Sequence, residues 1–316
     1  MMSAPYESWP RRAISIVRDH RALISRVAGA VIVLVIFGLM ARTLYLGWQE
    51  VVAYQWDLDY PALLAAFALM LSSTALYAYL WKSILERLGG TLDYRKSYRI
   101  YYLSQLGRYV PGKIWSVLGL VYLSQKEGVS KATSAASVIL QLALQIVSGV
   151  MVFALTLPLW RGSGAGSGLY GLIVLLPMGL ILVHPGVLSK GLNVALRITG
   201  QPPMELNWGY GYLLGQLGLW AVFWLVNGIA HYLLIGSVYP SSLPPLLVLA
   251  GIFAISWVTG FLSLVTPSGL GVMEGTLAVL LSSYFPAPVA TIIALWTRLA
   301  RTIVDLVCAG IAGVIG

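Results

Sequence analysis

The chain contains no Asp, Glu, Lys or Arg from residue 206 to residue 273. A largely apolar stretch of this length is foreign to soluble domains, in which about one residue in four is charged. The rest of the sequence agrees, since 59% of all residues are hydrophobic and 10% are charged. Runs of about 18 or more apolar residues are typical of transmembrane helices. The sequence therefore predicts an all-α polytopic membrane protein with no separate soluble domain.

The apolar runs predict about six full membrane spans. They cover approximately residues 27–47, 61–81, 132–158, 169–183, 209–238 and 287–314. We therefore expect residues 27–316 to form a single transmembrane domain. Residues 1–26 are basic and carry apolar residues near one helical face, which favours an interfacial helix on an anionic leaflet. A solvated leader before the first span is the alternative interpretation.

Two further apolar segments, about residues 97–124 and 245–284, are interrupted by Gly and Pro. The first contains GRYVPGKIW from residue 107, and the second contains TPSGLGVMEG from residue 266. Each half of the first segment reaches only about 20 Å, which is short of the roughly 30 Å hydrocarbon core. Both flanks of this segment are basic, so we expect a re-entrant helical hairpin that enters and leaves on the cytoplasmic side.

The second interrupted segment predicts a matching hairpin that enters from the outer side. Each half of the chain then consists of a span, a hairpin and a span, which is the layout of an inverted-topology repeat. Paired interruptions of this kind point to the binding site of a transporter. The expected hinges and helix breaks are Gly107, Pro111, Pro267, Gly269, Gly271 and Gly275.

The net charge of +9 is distributed in a way that predicts orientation. Most Lys and Arg residues lie on flanks of the kind that are enriched in cytoplasmic loops. We therefore expect a multi-pass protein of the cell (inner or cytoplasmic) membrane with both termini in the cytoplasm. Because orientation accounts for the charge, no nucleic-acid partner is expected. The single cysteine, Cys308, excludes a disulfide within the chain and a thiolate metal site, and no metal or cofactor is predicted.

The first hairpin predicts a cationic site at membrane depth. Irregular backbone is tolerated in a membrane only where it is buried in protein or lines a wet cavity. Gly112 or Lys113 would begin the second half-helix, where backbone N–H groups attract anions, and Arg108 lies about one turn earlier. Arg and Lys both suit phosphate, so a phosphate-bearing headgroup is the expected ligand. Alternatively, Arg108 and Lys113 extend to the cytoplasmic interface and only anchor the hairpin.

The second hairpin places Thr266, Ser268 and Glu274 near the opposite apex. A carboxylate at this depth needs a partner, and the last span offers Arg298, which would bind either Glu274 or the substrate. In the alternative interpretation, Glu274 and Arg298 form a purely structural pair. Thr266 and Ser268 would then only satisfy carbonyl groups freed by Pro267.

The last span also carries Arg301 and Asp305. These residues are spaced i,i+4 on the predicted helix, so they face the same side and can form an ion pair. We expect this intramembrane pair, which would leave Arg298 for the second apex.

The two interrupted motifs, in this order and followed by a last span that bears arginine, resemble the lysylphosphatidylglycerol synthase transmembrane family. The resemblance covers nearly the whole chain from about residue 27. It implies a flippase-like domain that moves lipids or lipid-linked intermediates between leaflets, in a stand-alone member without the aminoacyl-transferring domain. Met273 departs from the pattern, since family members often carry Arg before this Glu. The matching positions are Gly107, Arg108, Pro111, Gly112, Pro267, Gly269, Gly271, Glu274 and Gly275.

The leading functional hypothesis is a lipid flippase or transporter for an anionic phospholipid or a polyprenyl-phosphate-linked lipid. One alternative is a membrane-embedded lipid-modifying transferase, and another is a non-transporting scaffold of a lipid or glycan biosynthesis complex. We expect no enzyme, because the carboxylates Asp57 and Asp59 stand apart from any nucleophile and base. Besides lipids, a homodimer and lipid or glycan biosynthesis enzymes are partners that this hypothesis allows.

Overall fold

A computed structural model describes residues 27, 31, 34–53, 58–109, 114–160, 170–240, 243–263, 266 and 269–315. The predicted surface helix over residues 1–26 lies outside this part of the chain. The described residues are helical and contain no strand, which confirms the all-α fold class. Within them, Tyr60–Arg87, Lys131–Leu159 and Tyr210–Gly236 are long and apolar enough to cross a membrane.

The helices of the described residues are numbered here in chain order. They are α1 (Leu34–Leu46), α2 (Trp48–Ala53), α3 (Tyr60–Arg87), α4 (Tyr94–Gln105), α5 (Trp115–Lys126), α6 (Lys131–Thr156), α7 (Leu175–Leu182), α8 (Pro185–Ile198), α9 (Tyr210–Gly236), α10 (Leu246–Leu262), α11 (Val272–Leu281) and α12 (Ala287–Val314). Short 3₁₀ turns cover Leu106–Tyr109, Leu157–Leu159 and Tyr170–Val174.

The predicted spans agree with the helices of the structure to different extents. Helices α3, α6 and α9 match three of them closely. Helix α12 has the necessary length at 28 residues, although it carries charged residues within it. The span predicted at 169–183 is instead part of a helix pair, Gly171–Leu182 and Pro185–Ile198, that bends by 80°. The count of six full spans therefore stays a prediction.

Local capping explains where the helices around the basic loops begin and end. Asp93 accepts a hydrogen bond from the Lys96 N–H at 2.7 Å and begins α4, and Ser130 accepts from the Thr133 N–H at 3.0 Å and begins α6. Such side chains satisfy backbone donors that a helix start leaves free. The preceding helix, α5, ends before Gly128, whose φ of 86° is readily adopted only by glycine.

Both interrupted segments fold back on themselves as hairpins, as the sequence predicted. In the first, α4 packs against α5, and in the second, α10 packs against α11. Their helices contain 12, 12, 17 and 10 residues, so each is about 15–26 Å long and shorter than a hydrocarbon core. Each hairpin therefore ends within the thickness of the helix bundle.

The packing pattern matches an inverted repeat. Helix α4 of the first hairpin packs against α12, and α10 of the second hairpin packs against α6. Exchanging the two halves maps α3 onto α9, α6 onto α12 and one hairpin onto the other. The α3–α4 contact then corresponds to α9–α10, the α5–α6 contact to α11–α12, and the α3–α12 contact to α6–α9. All six contacts are present. Each hairpin is thus held by helices of both halves.

Two basic side chains make contacts at the end of the bundle where α3 ends and α4 begins. The Arg87 guanidinium lies over the Tyr212 ring at 5.2 Å, and Lys96 Nζ donates to Glu127 Oε2 at 2.7 Å. The Glu127 carboxylate raises the pKa of Lys96. This contact joins the start of α4 to the residue after α5, and it therefore closes the open end of the first hairpin.

Candidate functional site

A cavity of about 300 Å³ lies between the two hairpins, and residues of both line it. Its wall is built from α3, α6, α9, α12 and both hairpins. The charged residues of this wall are Arg108, Arg298, Arg301 and Asp305. Three of these four charges are positive, so the cavity is electropositive within the described residues, at a depth where water screens charge weakly.

The first hairpin reaches this cavity through a tight backbone contact. Gly107 lies so close to the start of α5 that an added Cβ atom would sit 2.8 Å from the backbone nitrogen of Ser116 and the carbonyl carbon of Trp115. Only glycine allows this approach. The contact fixes the 3₁₀ turn that carries Arg108 into the cavity wall.

Arg108 binds two other side chains of the cavity wall. Its Nη1 donates to Asp305 Oδ2 on α12 at 2.9 Å, and its Nε donates to Gln105 Oε1 at 3.1 Å. The i,i+4 spacing predicts Arg301 as the partner of Asp305, and that pairing stays a prediction. The contact with Arg108 was missed because the two residues lie 197 positions apart.

The second hairpin is closed by glycines in the same way. An added Cβ on Gly269 would lie 2.4 Å from the carbonyl oxygen of Gly260 on α10, and Gly269 has a φ of 68°. Gly271 has a φ of 83° and precedes α11. Gly275, expected at the break, lies instead inside α11, where its Cα faces Ile36 of α1. Its small size therefore serves helix packing rather than the break.

Glu274 is almost fully buried in the first turn of α11. Its Oε2 accepts the Gly271 N–H at 2.7 Å, and its Oε1 accepts from Arg298 Nη1 at 3.1 Å. This is the Glu274–Arg298 pairing that the sequence analysis offered. The Glu274 side chain is 2% exposed and that of Arg298 is 22% exposed. Arg298 therefore faces the cavity, and Glu274 lies behind it.

Other predicted site residues are placed as follows. Arg301 holds its guanidinium 5.0 Å from the centre of the Phe253 ring. Thr266 is buried, its hydroxyl lies 2.9 Å from that of Ser263, and it does not line the cavity. Met273, the departure from the family pattern, does line it. The predicted residues Pro111, Gly112, Lys113, Pro267 and Ser268 lie outside the described part of the chain.

The uncharged polar residues of the wall were not among the predicted site residues. Gln141 and Gln145 on α6 and Tyr77 on α3 face the cavity together with the aromatic residues Phe223 and Trp224. The Tyr77 hydroxyl donates to Gln145 Oε1 at 2.5 Å. Two glutamines spaced i,i+4 inside an apolar run are the signal that could have found them, because amides at membrane depth need partners.

Comparison with known proteins identifies one family. Its sequence model, described as the lysylphosphatidylglycerol synthase TM region, matches residues 26–309. The match covers most of the chain, which therefore belongs to this family. No curated protein sequence matches the chain.

Proposed function

We propose that this member of the lysylphosphatidylglycerol synthase transmembrane family is a lipid transporter, which moves an anionic lipid between leaflets. The lipid would be a phospholipid or a polyprenyl-phosphate-linked species. Its phosphate would occupy the cavity between the hairpin apices while its tails stay in the bilayer. The family supports a membrane protein with a lipid-related role, and the finer statement rests on the cavity.

One observation carries the proposal: the cavity presents arginine on its wall and keeps a carboxylate behind it. Arg108 and Arg298 are 26% and 22% exposed, whereas Glu274 is 2% exposed. Guanidinium groups bind phosphate through paired N–H donors. A site built to this plan attracts an anionic headgroup and repels a cationic one.

The ion pairs also explain how such a site can stay stable without a ligand. A single buried charge in a membrane protein is expensive, and a partner offsets much of that cost. In the empty cavity Asp305 pairs with Arg108 and Glu274 pairs with Arg298. An incoming phosphate would exchange with Asp305, which is 19% exposed and therefore reachable from the cavity. Exchange of one anion for another keeps binding reversible, as transport requires.

The test compares Arg108→Ala with Arg99→Ala. Arg99 is exposed on the same hairpin and does not line the cavity, so the two variants lose the same charge at different depths. We expect purified wild-type protein and Arg99→Ala to retain an anionic lipid and to translocate a fluorescent analogue in proteoliposomes. Arg108→Ala should lose both properties while remaining folded. Equal translocation by both variants would contradict the proposal.

The same experiment distinguishes the alternatives. A lipid-modifying transferase would release lipid products of changed mass, which mass spectrometry of the proteoliposomes would detect. A scaffold would tolerate loss of the apex charges in cells. We propose neither alternative. Transport needs no chemical step, unlike a transferase, and it needs the apex charges, unlike a scaffold.

We also propose the orientation in the cell membrane, with the basic end and both termini in the cytoplasm. Lysine and arginine surround the α3–α4 connection and the α5–α6 connection, which contains Gly128. Helix α9 ends at the opposite end of the bundle, near Asp59. There the Asp59 N–H donates to the Ser237 carbonyl at 2.9 Å. In a Cys308→Ala background, Lys131→Cys at the exposed start of α6 should react with a membrane-impermeant thiol reagent only in inside-out vesicles. Leu58→Cys, at the exposed residue before Asp59, should react only in right-side-out vesicles.

A further inference from the structure

Two glutamine amides give the cavity a second set of binding groups. The side chains of Gln141 and Gln145 are buried, at 2% and 1% exposed, and both line the cavity. The Nε2 atom of each has no hydrogen-bond partner among the described residues. A buried amide N–H without an acceptor is destabilising, so two of them on one cavity wall indicate that something else supplies the acceptors.

The placement of these donors is fixed by the fold. Gln145 Oε1 accepts from the Tyr77 hydroxyl, which sets the direction of its amide and leaves Nε2 as the opposite end. Gln141 lies one helical turn earlier on α6, so both amides face the same side. They are therefore a pair of donors at neighbouring positions.

A continuous series of side chains connects this pair to the arginine at the first apex. Tyr77 packs against Tyr101 with ring centroids 4.9 Å apart. Gln105 lies one turn beyond Tyr101 on α4, and it accepts from Arg108. The amides and the guanidinium thus belong to one cavity, and a single headgroup would meet both.

The chemistry of the amides selects among headgroups. A hydroxyl group accepts as well as donates, so it can satisfy an amide N–H. An ammonium group only donates, and it would also face the arginines of the same wall. Within the described cavity wall and its immediate partners, each carboxylate is already bound by an arginine, Asp305 by Arg108 and Glu274 by Arg298. A cationic headgroup would therefore have to compete with an arginine for either carboxylate.

We propose that Gln141 and Gln145 form a subsite for an uncharged, hydroxyl-bearing headgroup, such as a glycerol or sugar, next to the phosphate. The aromatic side chains of Phe223 and Trp224 in the same wall offer apolar faces for the C–H groups of such a polyol. This inference rests on the proposed function, since the phosphate at Arg108 places the headgroup. It narrows the substrate class to hydroxylated anionic lipids and disfavours aminoacylated ones.

The experiment compares dilauroyl phosphatidic acid, phosphatidylglycerol and phosphatidylethanolamine, which share their tails. Competition binding to the purified full chain gives the three affinities. We expect phosphatidylglycerol to bind about fivefold more tightly than phosphatidic acid, the ratio that a net hydrogen bond produces, and phosphatidylethanolamine to bind most weakly. In Gln141→Met, which is close to isosteric, the ratio of the first two affinities should fall towards one.

Gln216→Met is the matched control, because Gln216 is a buried glutamine on α9 outside this cavity. It should keep the wild-type ratio. In the double variant Gln141→Met with Gln145→Met, the ratio of the phosphatidylglycerol affinity to the phosphatidic acid affinity should be as low as in the single variant or lower. Thermal unfolding checks that each variant is folded.

The outcomes separate this inference from the proposed function. Equal binding of phosphatidic acid and phosphatidylglycerol by the wild type, with both lost in Arg108→Ala, would overturn the subsite and leave the transporter standing. Preference for phosphatidylethanolamine would overturn the subsite as well. Equal, unselective binding of all three lipids that Arg108→Ala does not change would contradict the proposed function itself.

Discussion

Replacing Gly269 with alanine tests whether the second hairpin is closed by direct backbone contact. The added Cβ atom would lie 2.4 Å from the carbonyl oxygen of Gly260 and 2.6 Å from its carbonyl carbon. Backbone atoms cannot rotate away as a side chain can, so the hairpin must open or shift. Gly200 is the matched control, because its φ is also 68° but its added Cβ would meet nothing within 4 Å.

The magnitude follows from two terms. A residue with a Cβ in the left-handed region costs about 1–2 kcal/mol, and this applies to both positions. Forcing extra volume into a packed site adds typically about 1–3 kcal/mol, and this applies to Gly269 alone. We therefore expect Gly200→Ala to lower the free energy of unfolding by about 1–2 kcal/mol and Gly269→Ala to lower it by about 2–5 kcal/mol.

Unfolding by sodium dodecyl sulfate in mixed micelles, followed by tryptophan fluorescence, measures both values. Lipid translocation should fall in Gly269→Ala, because the same hairpin carries Glu274 and thereby positions Arg298. Equal destabilisation by the two substitutions would refute the reasoning, since it would mean that conformational strain alone matters at both glycines.

Three further predictions concern the first hairpin and the last helix. Gly107→Ala should be strongly destabilising in the same unfolding assay, because its Cβ would meet backbone atoms at 2.8 Å, whereas Gly119→Ala should be neutral, since its closest contact is 3.4 Å. Asp305→Asn should destabilise by roughly 1–3 kcal/mol, since it removes the carboxylate charge that Arg108 binds. Combining Arg108→Asp with Asp305→Arg should recover stability but not lipid retention, and recovery of both would contradict a role for the charge at the apex. Cys308 is buried, so it should react with thiol reagents only after unfolding, and rapid labelling of native protein would contradict the helix packing.

Much of the fold could be read from the sequence because membranes impose simple rules. Long apolar runs must be helical, since every backbone group needs an internal partner in lipid. The motifs at Gly107 and at Gly269 marked hairpins because glycine and proline interrupt helices. The predicted span at 169–183 ends next to the break before Pro185, but hydropathy does not record the 80° bend between the two helices.

The candidate site could be read only in part. The sequence indicated that Glu274 needs a partner at depth and that Arg298 is within the last span, because buried charge is costly wherever it occurs. It could not show which of the two faces the cavity. That depends on how α11 packs against α12, which leaves Arg298 partly exposed and Glu274 buried.

The sequence by itself determined that this protein lies in a membrane and that two of its helical segments are broken. It also determined which polar and charged residues lie near each break. These properties are local, since hydropathy, glycine and arginine act through their immediate neighbours. Only the tertiary structure decided that Arg108 binds Asp305 and that Gln141 and Gln145 line the same cavity as Arg108. Those contacts join helices from different halves of the chain, and helix packing rather than sequence spacing determines which side chains meet.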